Sequence, residues 1–210
     1  MDERGLEEMK SMVALMNEVA PEFRIALAGR YHEELTDDIY DLCVFHRPQL
    51  DKQIIQERKE KGQITTFYTM CAPPEHPNNF TFSPPAEQAW LGWYAAARGL
   101  SGYLRWAYNS WVEDPMKDSR FRTWPAGDTY QVYPGPRSSI RFEMLRDGIE
   151  DYEKIRIIRS KLESGKGTKD LSKLEETLSH FTIKNVTKPN AAYWLNKGKK
   201  ELKNLSLQIK

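Results

Sequence analysis

Leu6, Met9, Val13, Met16 and Val19 recur at intervals of three and four, which predicts an amphipathic helix that Pro21 ends. The compact apolar run at 24–29 (RIALAG) follows and reads as a buried strand. Residues 41–45 predict a second short strand, 50–61 a helix closed by Gly62, and 64–70 a third strand. Pro84-Pro85 opens a further helix through Trp90, Tyr94 and Ala97 to Gly99, and 102–109 predicts a fourth strand. Strands that alternate with helices imply a parallel sheet.

The stretch 110–137 is dense in Pro, Gly, Asp and aromatic residues and is long for a simple connection, which marks it as a binding or catalytic loop. Helical periodicity resumes at 140–162. Two more amphipathic helices are expected at about 170–181 and 191–207, separated by the helix-breaking stretch 185–190. Four strands are half of what a closed (β/α)8 barrel needs. The expected fold class is therefore α/β, either the C-terminal half of a TIM-type barrel with a C-terminal helical appendage or an open α/β sheet. The corresponding domains are 1–162, a partial barrel with the catalytic region, and 163–210, the appendage.

Composition narrows the ligand class. The 210 residues carry a formal charge of only +1, so charge gives no reason to expect a nucleic acid or a membrane surface as partner. No apolar run approaches the roughly 20 residues of a spanning helix, and the acidic, amphipathic start is unlike a signal peptide. Cys43 and Cys71 stand far apart with no metal-ligand spacing, so neither a metal nor a disulfide framework is expected. No phosphate loop, dinucleotide fingerprint or HExxH occurs, so no cofactor is expected. Aromatics make up 11% of the chain and concentrate between Phe67 and Tyr133, which suits an uncharged ligand with apolar faces.

Three stretches carry candidate chemistry. Asp2 and Glu3 precede the first helix. Acids there complement a helix N-terminus, but paired carboxylates at a strand end also serve acetamido-sugar hydrolysis, one as proton donor and one holding the substrate's own acetamido nucleophile. In 103–111 (YLRWAYNSW), Trp106, Tyr108 and Trp111 are placed to wall a pocket at the end of the fourth strand, with core packing the competing reading for Trp106. In 124–135, Trp124 and Asp128 follow; Asp128 either closes an Asx-turn or binds sugar hydroxyls. Tyr68, near the end of the third strand, adds an aromatic with a hydroxyl. His32, His46, His76 and His180 form no nucleophile–base grouping that sequence reveals.

These motifs together carry a family resemblance. The run 103–111, Gly127-Asp128 through Val132-Tyr133-Pro134-Gly135, then 139–143 (SIRFE) and 145–153 (LRDGIEDYE) resemble the catalytic region of glycoside hydrolase family 123, also known as domain of unknown function 4091. The likeness extends over about 1–158. It implies a retaining β-N-acetylgalactosaminidase-like enzyme on a β/α barrel, acting through an oxazolinium intermediate on an acetamido-sugar glycan. By the same match, Asp2 would orient and polarise the acetamido group, and Glu3 would act as general acid and then general base. Where many relatives have proline after the pair, this chain has Arg4-Gly5. The resemblance further implies an N-terminal barrel half beyond this sequence, or self-association in its place, and a secreted or periplasmic parent. Two alternatives stand beside it: a glycosidase with a separate nucleophile such as Asp128, and a non-catalytic glycan-binding or structural fragment.

Overall fold

The computed structural model describes residues 4–47, 49–71, 76–118, 120, 124–135, 137–165 and 168–209. The chain divides into two compact units, Met1–Thr69 with Gly99–Leu104, and Met70–Arg98 with Arg105–Lys210.

The first unit is a four-stranded sheet with strands β1 (Ile25–Gly29), β2 (Ile39–Phe45), β3 (Ile64–Tyr68) and β4 (Gly102–Tyr103) in that spatial order. Every neighbouring pair is parallel, with Leu27 opposite Leu42, Leu42 opposite Thr65 and Thr66 opposite Gly102. The expected parallel, adjacent strands are thus present. Helix α1 (Leu6–Val19) turns Met9 and Val13 inward against Ile25, Leu27, Leu35, Ile39, Leu42 and Val44. Each such fully buried aliphatic side chain is worth roughly 1.5–3 kcal/mol over leaving it in water. On β2, Leu42, Cys43 and Val44 are all buried, so this strand is covered on both faces, as a run without polar alternation requires.

Helix α2 (Lys52–Glu60) begins at Asp51, whose carboxylate accepts from the Gln53 amide at 2.8 Å. It sends the buried Arg58 toward the strand starts. That guanidinium donates to Thr65 Oγ1 and to the carbonyls of Thr36, Ile39 and Ile64, each at 3.0 Å. One side chain thereby caps carbonyls at the N-terminal ends of β2 and β3. The β1–β2 connection contains no α-helix, only a 3-10 turn at Glu33–Leu35.

The second unit is built on α3 (Ala86–Arg98), α4 (Ile140–Ser164), α5 (Thr168–Ser179), α6 (Ile183–Asn185) and α7 (Ala191–Gln208). Trp90 and Trp93 of α3 are fully buried; Trp93 stacks on Phe181 with ring centroids 4.7 Å apart and donates its indole N–H to Asp151 of α4 at 2.9 Å. Ser139 caps α4 by accepting from the Phe142 amide at 3.2 Å. The stretch expected to break the helices, 185–190, is instead a π-turn at Val186–Asn190 leading straight into α7. Asn190 takes the strain at φ 139° and caps α7 with its side chain.

The fourth strand is shorter than expected. After Leu104, whose amide still donates to the Phe67 carbonyl at 2.8 Å, the ladder ends. Arg105 then engages Asp128. A buried ion pair fixes the path of the chain here more strongly than the strand propensity of 105–109.

Candidate active site

Residues 108–110 run antiparallel to 129–131. The Gln131 amide donates to the Tyr108 carbonyl at 2.7 Å, the Ser110 amide to the Thr129 carbonyl at 3.0 Å, and the Thr129 hydroxyl to the Ser110 carbonyl at 2.5 Å. Asn109 and Tyr130 form the bridge between the two segments. The end of the expected fourth strand and part of the following loop are therefore laced together, and the aromatics of the first are set against the second.

Gly127 turns the second segment at φ +81°; a Cβ there would lie 2.7 Å from both Arg141 Nη1 and Thr81 Cγ2, so only glycine fits. The Arg141 guanidinium donates to the Gly127 carbonyl at 2.8 Å and to the Asn79 carbonyl at 2.6 Å. The next residue, Asp128, is fully buried. Arg105 donates to its carboxylate and to its carbonyl, and Trp106 Nε1–H donates to its other carboxylate oxygen at 3.2 Å. Both carboxylate oxygens are thus taken by protein donors.

The expected aromatics emerge at the surface. Trp106, Tyr108, Trp111 and Trp124 are between 37% and 54% exposed, which removes the core reading for Trp106. Trp106 meets Trp124 edge to face with centroids 5.6 Å apart, Tyr108 lies against Phe142, and Trp111 donates to the Val132 carbonyl at 2.7 Å. Trp106, Tyr108, Trp111, Trp124 and Asp128 therefore belong to one constellation in the second unit. Tyr68 belongs to the first, at the C-terminal end of β3, with its ring 5.6 Å from that of Phe45. Asp2 and Glu3 lie outside the described residues.

Sequence reasoning missed the guanidinium pair beneath the aromatics. A charged residue inside an otherwise aromatic run was the available signal for Arg105. Arg141, on the first turn of α4, stood within the motif at 139–143 but was given no role of its own.

The sequence pattern of the glycoside hydrolase 123 catalytic domain matches residues 1–158. The chain belongs to that family. Among solved structures, a family 123 glycoside hydrolase from Clostridium perfringens, described in connection with glycolipid glycan hydrolysis, is similar with a TM-score of 0.81 and 24% identity. The similarity covers 99% of this chain and 41% of that one, so the chain spans well under half the length of the enzyme it matches. At this identity the likeness speaks for the fold. No curated protein matches the chain. The exposed indoles present apolar faces of the kind that suits the C–H face of a sugar ring.

Proposed function

We propose that the chain is the segment of a retaining β-N-acetylhexosaminidase, of the N-acetylgalactosaminidase type, that carries its acid pair and its aromatic sugar platform. The carrying observation is the Trp106–Trp124 pair: an exposed indole is locked edge to face against its neighbour while its N–H is held by a buried carboxylate. A surface held this rigidly loses little freedom when a sugar ring stacks on it. On this reading the four parallel strands are part of a (β/α)8 barrel, residues 1–162 carry that part, and 163–210 are the helical addition to it. Tyr108 and Trp111 extend the aromatic platform within the second unit. Asp128 shapes it through Trp106.

In the proposed reaction Asp2 orients the substrate's acetamido group, whose carbonyl oxygen attacks the anomeric carbon as the glycosidic bond breaks. Glu3 protonates the leaving oxygen. Water then opens the oxazolinium ring with Glu3 as general base, restoring the starting configuration. An enzymic nucleophile at Asp128 is disfavoured, because both its oxygens are engaged and the residue is sealed from solvent.

The test is a pair of variants assayed on the protein as expressed from its gene. Glu3→Gln should lower turnover of an unactivated acetamido glycoside by at least roughly 10²- to 10⁴-fold, and that of an activated aryl glycoside much less. Asp2→Asn should impair both, because bond breaking still needs the internal attack. A thiazoline analogue should inhibit. Near-native turnover by both variants on the unactivated substrate would reduce Asp2 and Glu3 to helix-terminus charges and end this reading.

A further inference from the structure

His76 and Glu87 form an imidazole–carboxylate pair in the second unit that the proposed reaction does not use. Glu87 is 2% exposed; one carboxylate oxygen meets His76 Nδ1 at 2.5 Å and the other accepts from the Asn78 amide at 2.8 Å. A carboxylate accepts, so the proton of the neutral ring sits on Nδ1 and Nε2 is left as an acceptor. Residues 77–80 are buried, whereas the His76 side chain is 48% exposed, and its Nε2 has no partner among the described residues. A histidine needed only as a partner for Glu87 gains nothing from an open far edge. This one keeps that edge in water.

The segment that carries this ring is fastened beside the aromatic constellation. The Asn79 and Gly127 carbonyls share Arg141 Nη1, at 2.6 and 2.8 Å, and the Thr81 amide donates to the Ala126 carbonyl at 2.9 Å. The Asn78 side chain donates to the Met70 carbonyl at 2.7 Å; next to it the Cys71 thiol is pushed up by burial first and by the Asp128 charge second, which sets Asp128 nearby. His76 stands three residues from Asn79, so the two Cα atoms are at most about 11 Å apart. The platform itself has few polar atoms to offer. Trp106 and Trp111 donate their N–H groups within the protein, and both carboxylate oxygens of Asp128 are engaged. Stacking on indoles holds a sugar ring, whereas its orientation needs a directed polar partner. We propose that His76 is that partner, with Nε2 accepting from a hydroxyl of the acetamido sugar, and that Glu87 is the positioning residue that fixes the ring's orientation and tautomer. This rests on the sugar-platform reading above and adds to it the group that orients the sugar.

The experiment titrates N-acetylgalactosamine into the full chain and reads two signals: indole fluorescence, which reports the platform, and the ¹⁵N resonances of the His76 imidazole. Both should respond, with the Nε2 resonance moving toward the protonated range as it accepts. His76→Asn keeps a donor for Glu87 and removes Nε2; it should weaken binding roughly three- to tenfold, the worth of one hydrogen bond. His76→Gln, whose amide reaches as far as Nε2, should recover part of that loss. Where His76→Asn does not fold, the Nε2 resonance of the native chain decides. An unmoved Nε2 resonance, or unchanged affinity in folded His76→Asn, while the fluorescence still responds would overturn the role of His76 and leave the platform reading standing. No response in either signal would end both.

Discussion

Glu87 sits on the first turn of α3, only 2% exposed, and its carboxylate meets His76 Nδ1 at 2.5 Å and the Asn78 amide at 2.8 Å. Burial pushes its pKa above the ordinary 4.5, against the opposing pull of the Asn78 amide and of His76. The sign follows: between 4.5 and the raised native value the folded protein holds a proton that the unfolded chain has released, so stability falls as pH rises through that window and is level on either side. Glu87→Gln keeps an acceptor for the Asn78 amide and removes the titration. The midpoint advantage of the variant over the native protein should therefore grow as pH rises from about 4. Repeating the comparison in a His76→Asn background takes out the histidine pairing. A constant offset across pH would show that Glu87 titrates in the native state as it does in the unfolded chain. Neither feature was legible beforehand. Glu87 reads in the sequence as an ordinary helix-start acid, and only the fold of 76–80 over it makes its ionisation costly.

At the scale of the element, α3 and α4 cross at two glycines. A Cβ on Gly92 would stand 2.0 Å from the Gly148 carbonyl oxygen, and one on Gly148 would stand 2.7 Å from the Ala89 oxygen and 2.9 Å from the Ala89 Cα. The obstructing atoms are backbone, which cannot rotate away, so a methyl group forces the helices apart. Gly92→Ala and Gly148→Ala should each cost at least the roughly 1–3 kcal/mol typical of overpacking, lowering Tm by about 2–4 °C per kcal/mol, with Gly92→Ala the worse. Differential scanning calorimetry of the two variants checks this. Unchanged midpoints would mean that the helices separate freely. The sequence announced most elements correctly, because helical and strand periods are local: α1 and α3 stand within a residue or two of their expected limits. It failed at 104–109 and at 185–190, where a distant partner, Asp128, or a strained cap, Asn190, decided the outcome.

Across the whole second unit, the C-terminal helices share a core with α3. Phe181 is buried against Trp93, and a Cβ on Gly198 would lie 2.7 Å from the Trp93 ring. A chain ended after Gly165 would leave the Trp93 face in water. It should lose cooperative unfolding and near-UV dichroism and bind a hydrophobic dye. A truncated chain with the native midpoint would instead make 166–210 a dispensable addition. What the sequence determined by itself was the alternation of helices and strands, the parallel sheet this implies, the concentration of aromatics in 103–135, and the family, because periodicity and motif spacing are written along the chain. Tertiary structure alone decided that Trp106 faces solvent while Asp128 beneath it does not, and that Arg105 and Arg141 meet at one turn. Exposure and charge pairing are properties of segments distant in sequence, and no local pattern encodes which of them will touch.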